Sequence, residues 1–256
     1  WNDKVGEDFT YNLGLNITFT KNKLRKTNEL SNIEDYRKSI GQPTSAIFGW
    51  QSQGLFGKDV AIAGHPFQSF GNYQVGDIAY ADLNNDGMVD NNDQTRIGQS
   101  FPKTTLGVDV TLNYKGFGLY ILGTATTGVT QMLTSTYYWN KGLDGYSVLA
   151  EDRYHPVNNP TGTQPRLTTT SGVNNYRNST FWTKNGSFFR LKNVELSYTL
   201  NNNSKKGIGK NYKFFVRGAN LFVLSGIKEL DPEQMLAGIS NYPVYRTITG
   251  GVSINF

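Results

Sequence analysis

The feature that most constrains the fold is a run from Phe9 to Thr20 in which apolar and polar side chains alternate without interruption. Its odd positions carry Phe, Tyr, Leu or Ile, and its even positions carry Thr, Asn or Gly. Period-two alternation predicts a β-strand with one apolar face and one wet face. The run has 12 residues. Strands of soluble sheets are usually about 5 to 6 residues long, whereas a tilted membrane strand needs about 9 to 11.

Six further segments have strand patterns, which makes seven in all. They are Ala46 to Gln53, Thr105 to Tyr114, Phe117 to Leu133, Ser187 to Leu200, Tyr212 to Leu224 and Tyr245 to Phe256. In the segment from Ser187 to Leu200 the apolar phase changes near Lys192, which predicts a β-bulge at that point. The sequence therefore predicts an all-β chain of antiparallel strands.

The connections between the strands alternate in length. Going back from the C-terminus, they are 225–244 (long), 201–211 (shorter), 134–186 (very long), 115–116 (minimal) and 54–103 (very long). Long loops at one edge and short turns at the other are the plan of bacterial outer-membrane barrels. Residues 21–45 break this alternation, because they are too long for a simple turn. Seven strands cannot close a barrel, since the smallest needs about eight, so residues 1–256 are expected to be the C-terminal part of a larger barrel domain.

Composition agrees with this class and excludes several others. Aromatic residues make up 13% of the chain, and no apolar run reaches the length of a transmembrane helix. Cysteine is absent, which excludes disulfide scaffolds and thiolate metal sites. The net charge of +5 is scattered, so nucleic-acid binding is not expected. The one basic cluster, Lys21 to Lys26, favours a solvated turn over a ligand site. Nucleophile and nucleotide-binding motifs are missing, so an enzyme is not expected.

The last strand fits the signal by which barrels are recognised for membrane assembly. That pattern is polar-x-Gly-x-x-apolar-x-aromatic, and its positions are filled by Thr249, Gly251, Ile254 and Phe256. A lipid-facing aromatic at the end of the closing strand is expected to seal a barrel. The ending therefore supports a membrane barrel whose C-terminus is periplasmic and whose long loops are extracellular.

A stretch of twelve residues has oxygen-bearing groups at the spacing of an EF-hand-type calcium loop. The candidate ligands are Asp82, Asn84, Asp86, Met88 (through its carbonyl), Asp90 and Asp93. A hard cation takes about six to eight oxygens, and Gly87 permits the turn that converges them. Asp93 stands where a bidentate Glu is usual. A possible Ca²⁺ (or other hard divalent cation) and a metal-free loop closed by Asx turns both remain open, and no cofactor is required.

Aromatic side chains in the long loops are candidates for contact with a substrate or a lid. They are Tyr137, Tyr138, Trp139 and Trp182. Such rings can stack on sugars or on peptide side chains. Packing of the loops against each other explains each of them better.

Several motifs, in order along the chain, resemble the SusC/RagA-type TonB-dependent transporters of Bacteroidetes. The stretch from Gly76 to Asp90 resembles the family's G-D-I-x-Y-x-D-x-N-G-D-G-x-I-D, with Asn85 where Gly is common. Other matching segments are Ile47 to Phe56, Ile97-Gly98, Pro102-Lys103, Phe188 to Val194, Arg217 to Phe222 (with Ala219 replacing Gln), Asp231 to Glu233, Tyr242-Pro243 and the closing strand. The likeness spans nearly the whole chain.

The resemblance implies a barrel of about 22 strands in the outer membrane, plugged by an N-terminal domain and capped by a SusD-like surface lipoprotein. It implies import of oligosaccharides or peptides with energy relayed by TonB. The plug and the first strands are absent from this chain, so its partners would include the rest of the same barrel and membrane lipid. The alternative is a secreted, calcium-stabilised β-sandwich module that binds carbohydrate. That module would explain the aromatic residues and the oxygen-rich loop, but not the strands of membrane length.

Overall fold

One large antiparallel sheet, which we call the wall, organises the fold. The computed structural model describes residues 1–30, 32–142, 145–168, 173–201, 211–233, 242 and 244–255. Its strands in chain order are β1 (Asn2–Val5), β2 (Phe9–Phe19), β3 (Ala46–Trp50), β4 (Ser52–Leu55), β5 (Phe67–Gln68), β6 (Ile78–Tyr80), β7 (Met88–Val89), β8 (Gln94–Gln99), β9 (Thr104–Tyr114), β10 (Phe117–Thr127), β11 (Thr130–Met132), β12 (Thr183–Asn185), β13 (Phe188–Asn201), β14 (Asn211–Ser225) and β15 (Thr247–Asn255). Short 3-10 helices span Asp35–Arg37, Asn91–Asp93, Val148–Asp152 and Thr180–Trp182. Among the helices of these ranges, none is long and apolar enough to cross a membrane.

The wall has seven strands in the order β1-β2-β9-β10-β13-β14-β15. Every neighbouring pair is antiparallel. The other strands form two-stranded ribbons, β3–β8, β4–β6, β5–β7 and β11–β12. Within the described residues β1 and β15 do not pair with each other, so the wall is an open sheet. It is one layer, not the two packed sheets of a sandwich, and therefore favours the barrel segment over the alternative module.

All the long connections leave the wall at the same edge. Because neighbouring strands are antiparallel, β2, β10 and β14 run one way and the other four strands run the opposite way. Connections 20–103, 128–187 and 226–246 therefore start and end at one edge, the loop edge. The turns at 6–8 and 115–116 lie at the opposite edge, the turn edge, where Asn201 also pairs with Asn211.

The wall has one apolar and one mainly polar face. Directly paired residues of neighbouring strands share a face, so the register assigns each side chain. The apolar face carries Phe9, Tyr11, Leu13, Leu15, Ile17 and Phe19 of β2; Leu106, Val108, Val110, Leu112 and Tyr114 of β9; Phe117, Leu119 and Ile121 of β10; Phe189, Leu191, Val194, Leu196 and Tyr198 of β13; Phe214, Val216, Phe222 and Leu224 of β14; and Ile248, Val252 and Ile254 of β15. Many of these side chains are exposed. The wall therefore presents a broad apolar surface to its surroundings.

Six of the seven predicted strands lie in the wall, with corrections at their ends. The predicted strand Phe117 to Leu133 is too long, because the chain leaves the wall after Thr127 and then forms β11. The seventh strand of the wall is β1, which the sequence did not predict because it is short and polar. The predicted strand end at Phe256 lies outside the described residues.

The prediction of a wall strand from Ala46 to Gln53 is wrong. This segment forms β3 and β4, which pair with β8 and β6 in separate ribbons above the loop edge. Its apolar side chains serve a different core, since Trp50 is buried and its indole N–H donates to the Asp90 carbonyl at 2.8 Å. Since residues 20–103 form one connection at the loop edge, residues 21–45 are part of it and do not break the alternation of long loops and short turns.

The predicted bulge at Lys192 is confirmed. Leu122 of β10 pairs with Asn193, whereas Gly123 pairs with Leu191, so Lys192 is the extra residue. The bulge places Lys192 and Asn193 on the polar side in succession, which explains the change of apolar phase.

The buried apolar core lies outside the wall. The connections 20–103, 128–187 and 226–233, which we call the loop cap, pack against one another above the loop edge. The core cluster consists of Trp50, Leu55, Phe70, Ile78, Tyr80, Val89, Leu133, Tyr138, Tyr154, Trp182 and Ile227. None of these residues belongs to a wall strand.

Candidate functional site

The loop cap brings together the aromatic residues that the sequence proposed as substrate or lid contacts. Tyr138 and Trp182 are buried in its core, and Tyr137 and Trp139 pack against them. The ring centroids of Tyr137 and Tyr138 are 5.2 Å apart with the rings edge to face, and those of Trp139 and Trp182 are 6.4 Å apart. These geometries are typical of aromatic packing. The four residues hold the loops together, and ligand contact by them stays a prediction.

The Gly76 to Tyr80 motif links two of the segments that form the cap, connections 20–103 and 128–187. Its strand β6 pairs with β4 on one side, and side-chain amides satisfy the backbone on the other. The Asn175 amide oxygen accepts from the Ile78 N–H at 2.9 Å, and the Gln68 amide oxygen accepts from the Tyr80 N–H at 2.7 Å. The Tyr80 hydroxyl donates to the Asn174 carbonyl at 2.8 Å. Asn174, Asn175 and Gln68 thus form hydrogen bonds along β6 like those that a second neighbouring strand would form.

Asp77 is the charged centre of this connection. Its carboxylate is almost fully buried and accepts from Arg166 Nε at 2.8 Å and Nη2 at 3.0 Å. Asn175 Nδ2 donates to the same carboxylate at 2.7 Å. Gly76 precedes it with φ +91°, and a Cβ there would lie 3.0 Å from the Tyr154 ring. We call Asp77, Arg166 and Asn175 the staple, since they join connection 20–103 to connection 128–187.

Burial in the cap also raises the pKa of two tyrosine hydroxyls. Burial raises the pKa of Tyr176 to about 12, and it raises the pKa of Tyr80 far above its usual range. Removing these phenols from water disfavours the charged form. Both hydroxyls therefore stay protonated and serve as hydrogen-bond donors.

The oxygen-rich loop from Asp82 to Asp93 is closed by its own backbone. The two oxygens of Asp82 accept from the N–H groups of Asn85 (2.7 Å) and Gly87 (2.9 Å). Asp86 accepts from the Met88 N–H at 2.9 Å. The bond from Met88 to Asp86 is an Asx turn, whereas those of Asp82 span a longer loop in which Asn85 at φ 59° and Gly87 at φ 85° have left-handed backbone.

Asp93 holds the beginning and the end of this loop together. It is fully buried, and its two oxygens accept from the N–H groups of Leu83 and Asp90, both at 2.7 Å. Within the described residues, the structure gathers no group of three or more acidic or histidine side chains able to hold a metal. The oxygen donors have the right hard chemistry, but their lone pairs face backbone N–H groups. A cation bound at 82–93 therefore stays a prediction.

Two further motifs of the sequence meet on the polar face of the wall. Arg190 of β13 is buried, and its Nη2 lies 2.7 Å from both carboxylate oxygens of Asp231. Lys192, at the bulge, lies 2.9 Å from Glu233. These ion pairs, which we call the clamp, hold the segment 226–233 on the wall. The bulge turns the side chain of Lys192 toward this segment.

The proposed assembly signal in β15 is divided between the two faces. Thr249 and Gly251 lie on the polar face, opposite Arg217 and Phe215, whereas Ile254 lies on the apolar face. A Cβ on Gly251 would lie 2.6 Å from the Phe215 ring, so a larger residue there would displace that ring. Phe256 lies outside the described residues. A role of these residues in assembly stays a prediction.

No protein-family model matches the chain. Among curated proteins, the TonB-dependent receptor P26 of Formosa agariphila is 32% identical over 198 residues, which cover 71% of the chain and 20% of that protein. The TonB-dependent receptor SusC of Bacteroides thetaiotaomicron is 25% identical over 265 residues, which cover 98% of the chain and 25% of SusC. The RagAB peptide importer in its "open-open" state matches with a TM-score of 0.71 and 17% identity, over 100% of the chain and 27% of that structure's chain. The chain is similar to a C-terminal segment of the SusC/RagA type of TonB-dependent transporters.

The resemblance found in the sequence is thereby confirmed. The likeness to RagAB shows the fold, so the wall is a segment of a TonB-dependent transporter barrel that does not close within the described residues. The chain spans 20% of the length of P26 and 25% of that of SusC.

Sequence reasoning missed the partners of the SusC/RagA motifs. Asp77 belongs to one of these motifs, and its partners Arg166 and Asn175 lie 89 and 98 positions away along the chain. No local pattern marks a side chain whose partner is so distant. Arg190 and Asp231 both belong to such motifs, and the motifs did not predict the ion pair between them.

Proposed function

We propose that the chain is part of an outer-membrane importer that takes up oligosaccharides or peptides with energy supplied through TonB. The observation that carries this proposal is the two-faced wall, with every long connection at one edge. An apolar face of membrane-length strands suits lipid, and a polar face suits a water-filled or plugged interior. The relatives support the same role, since P26 and SusC are TonB-dependent receptors and RagAB is a peptide importer.

In this proposal residues 1–256 form the C-terminal part of one barrel domain, whose plug and remaining strands lie elsewhere in the protein. The turn edge and the C-terminus face the periplasm. The loop edge faces outside, where the loop cap meets a SusD-like surface lipoprotein and the incoming ligand. The staple and the clamp keep the cap in one arrangement. The chain supplies wall and cap, and no catalytic chemistry is assigned to it.

Uptake measurements test the proposal and distinguish the two classes of substrate. The gene for the transporter is deleted, and uptake of labelled oligosaccharides and labelled peptides is measured in cells with and without TonB. We expect uptake of one class to be lost, and loss of TonB to have the same effect. Absence of the protein from the outer-membrane fraction, or unchanged uptake of both classes, would contradict the proposal.

A further inference from the structure

A basic cavity lies where the loop cap meets the end of β2. Its volume is about 700 Å³. Four cationic side chains line it, Lys21, Lys23, Arg96 and Lys103, and none of the described residues that line it carries a carboxylate. Within the described part of the chain, none of the four is in an ion pair. The cavity therefore concentrates positive charge that the described residues do not neutralise.

The fold assembles this charge from distant parts of the sequence. Lys21 and Lys23 follow β2, Arg96 belongs to β8, and Lys103 precedes β9. The sequence alone grouped Lys21 and Lys23 with Arg25 and Lys26 as a solvated turn. In the structure they line the same cavity as two cations that are more than seventy positions away along the chain.

Arg96 is held in place by neutral groups. Its Nη1 donates to the amide oxygen of Gln42 at 2.9 Å, and its Nη2 donates to that of Gln99 at 2.9 Å. Gln99 is itself buried, and its Nε2 donates to the carbonyls of Phe101 and Gly128, both at 2.9 Å. Each terminal nitrogen of Arg96 keeps a second N–H. The guanidinium is thus oriented without losing its charge, which suits the forked recognition of a phosphate.

The cavity is continuous with the apolar face. Phe19, the last residue of β2 on that face, lines the cavity and is 77% exposed. Phe101 also lines it and is 54% exposed. Aromatic residues at the end of membrane strands lie at the level of the lipid headgroups. A ligand in this cavity could therefore place a charged group among the cations and its chains against the apolar face.

We propose that this cavity binds the phosphate-bearing headgroup of an anionic lipid in the outer leaflet. The proposal rests on the membrane position of the wall given under the proposed function. Cations near a membrane surface attract anionic lipid by about 1 kcal/mol each, and no carboxylate of the lining opposes them.

The test uses the full transporter that contains this chain, purified in a non-ionic detergent, and counts bound phosphatidic acid by native mass spectrometry. The variant Lys23→Gln/Lys103→Gln removes two cations of the cavity. The matched control, Lys4→Gln/Lys115→Gln, removes two lysines near the turn edge. We expect wild type and control to bind equally. The cavity variant should bind about 25-fold more weakly, from about fivefold per lysine, and added salt should reduce the difference.

Two further arms identify the source of the phosphate. Phosphatidylcholine should bind all three proteins alike and more weakly than phosphatidic acid does, and inorganic phosphate at the same concentration should not displace the lipid. Displacement by inorganic phosphate would overturn the lipid assignment in favour of a free-anion site. Equal binding of phosphatidic acid to cavity variant and control would overturn the site itself, including the case in which another segment of the transporter fills the cavity. Outer-membrane fractionation of the same proteins shows separately whether the proposed function has failed.

Discussion

The wall and the loop cap satisfy the same physical requirements in opposite ways. In the wall, strand pairing satisfies the hydrogen bonds of the backbone and leaves the apolar side chains facing outward. Under the proposed function these side chains face lipid. In the cap the strands are short, the apolar rings are buried against each other, and side chains such as Gln68 and Asn175 satisfy the backbone. The wall is therefore stabilised by regular strand pairing and by the medium that its apolar face contacts. The cap depends on individual contacts between distant residues.

The largest effect should come from breaking the staple of the cap. Asp77→Ala leaves Arg166 and Asn175 without their buried partner, and loss of one member of a buried charge pair costs about 3–5 kcal/mol. Hydrogen exchange and protease nicking should increase in connections 20–103 and 128–187, while the wall stays assembled. Glu151→Ala, at an exposed carboxylate in the same cap, is the control and should change neither. Protection of both connections in Asp77→Ala would show that the staple does not hold the cap.

The wall should respond to the face of a substitution. Val110 lies on the apolar face near the middle of β9, and its neighbour Thr111 lies on the polar face. A lysine facing lipid near the bilayer middle costs about 2–4 kcal/mol. We expect Val110→Lys to reduce assembled barrel, measured by heat-modifiable migration on gels, whereas Thr111→Lys is tolerated. Equal effects of the two would contradict a lipid-facing apolar side.

The clamp between wall and cap should give a smaller, local effect. Asp231→Asn removes the charge that pairs with buried Arg190, and hydrogen bonds to charged groups contribute about 1.5–3 kcal/mol. Segment 226–233 should then exchange its amide hydrogens faster. Glu229→Gln in the same segment removes a more exposed pair with Lys184, which is expected to contribute at most about 1 kcal/mol. If both variants exchange alike, the Arg190 pair is not the dominant contact.

The smallest effect concerns the oxygen-rich loop. If Ca²⁺ binds there, Asp82→Asn/Asp86→Asn should speed protease nicking of residues 82–93 and leave the wall intact. A chelator should have the same effect on wild type and none on the variant. Nicking that is the same with and without chelator would show that the loop's own hydrogen bonds, such as those to Asp82 and Asp93, close it without metal.

The comparison also explains what the sequence could predict. Alternation is a local signal, so the strands around Leu13, Val110 and Val216 and the bulge at Lys192 were predictable. The segment Ala46 to Gln53 has an equally apolar pattern, but its Trp50 packs into the cap, and no local rule separates the two destinations. Similarly, β1 exists because β2 offers it a partner.

Contacts across the cap were beyond local reasoning. Each of Asp77 and Arg166 looks like a surface residue in sequence, and only the fold makes them neighbours. The rings of Tyr138 and Trp182 lie in the core of the cap, since large rings in long connections need a core of their own.

The most direct test of the account is a cysteine scan along β9 in the assembled transporter. The chain contains no cysteine, so single substitutions from Leu106 to Leu112 introduce the only thiol of this segment. Each variant is reacted in membranes with a lipid-soluble, membrane-confined thiol reagent. The account predicts labelling at even positions, which lie on the apolar face, and protection at odd positions, which lie on the polar face. Labelling that ignores this period of two would contradict a wall with one side in lipid.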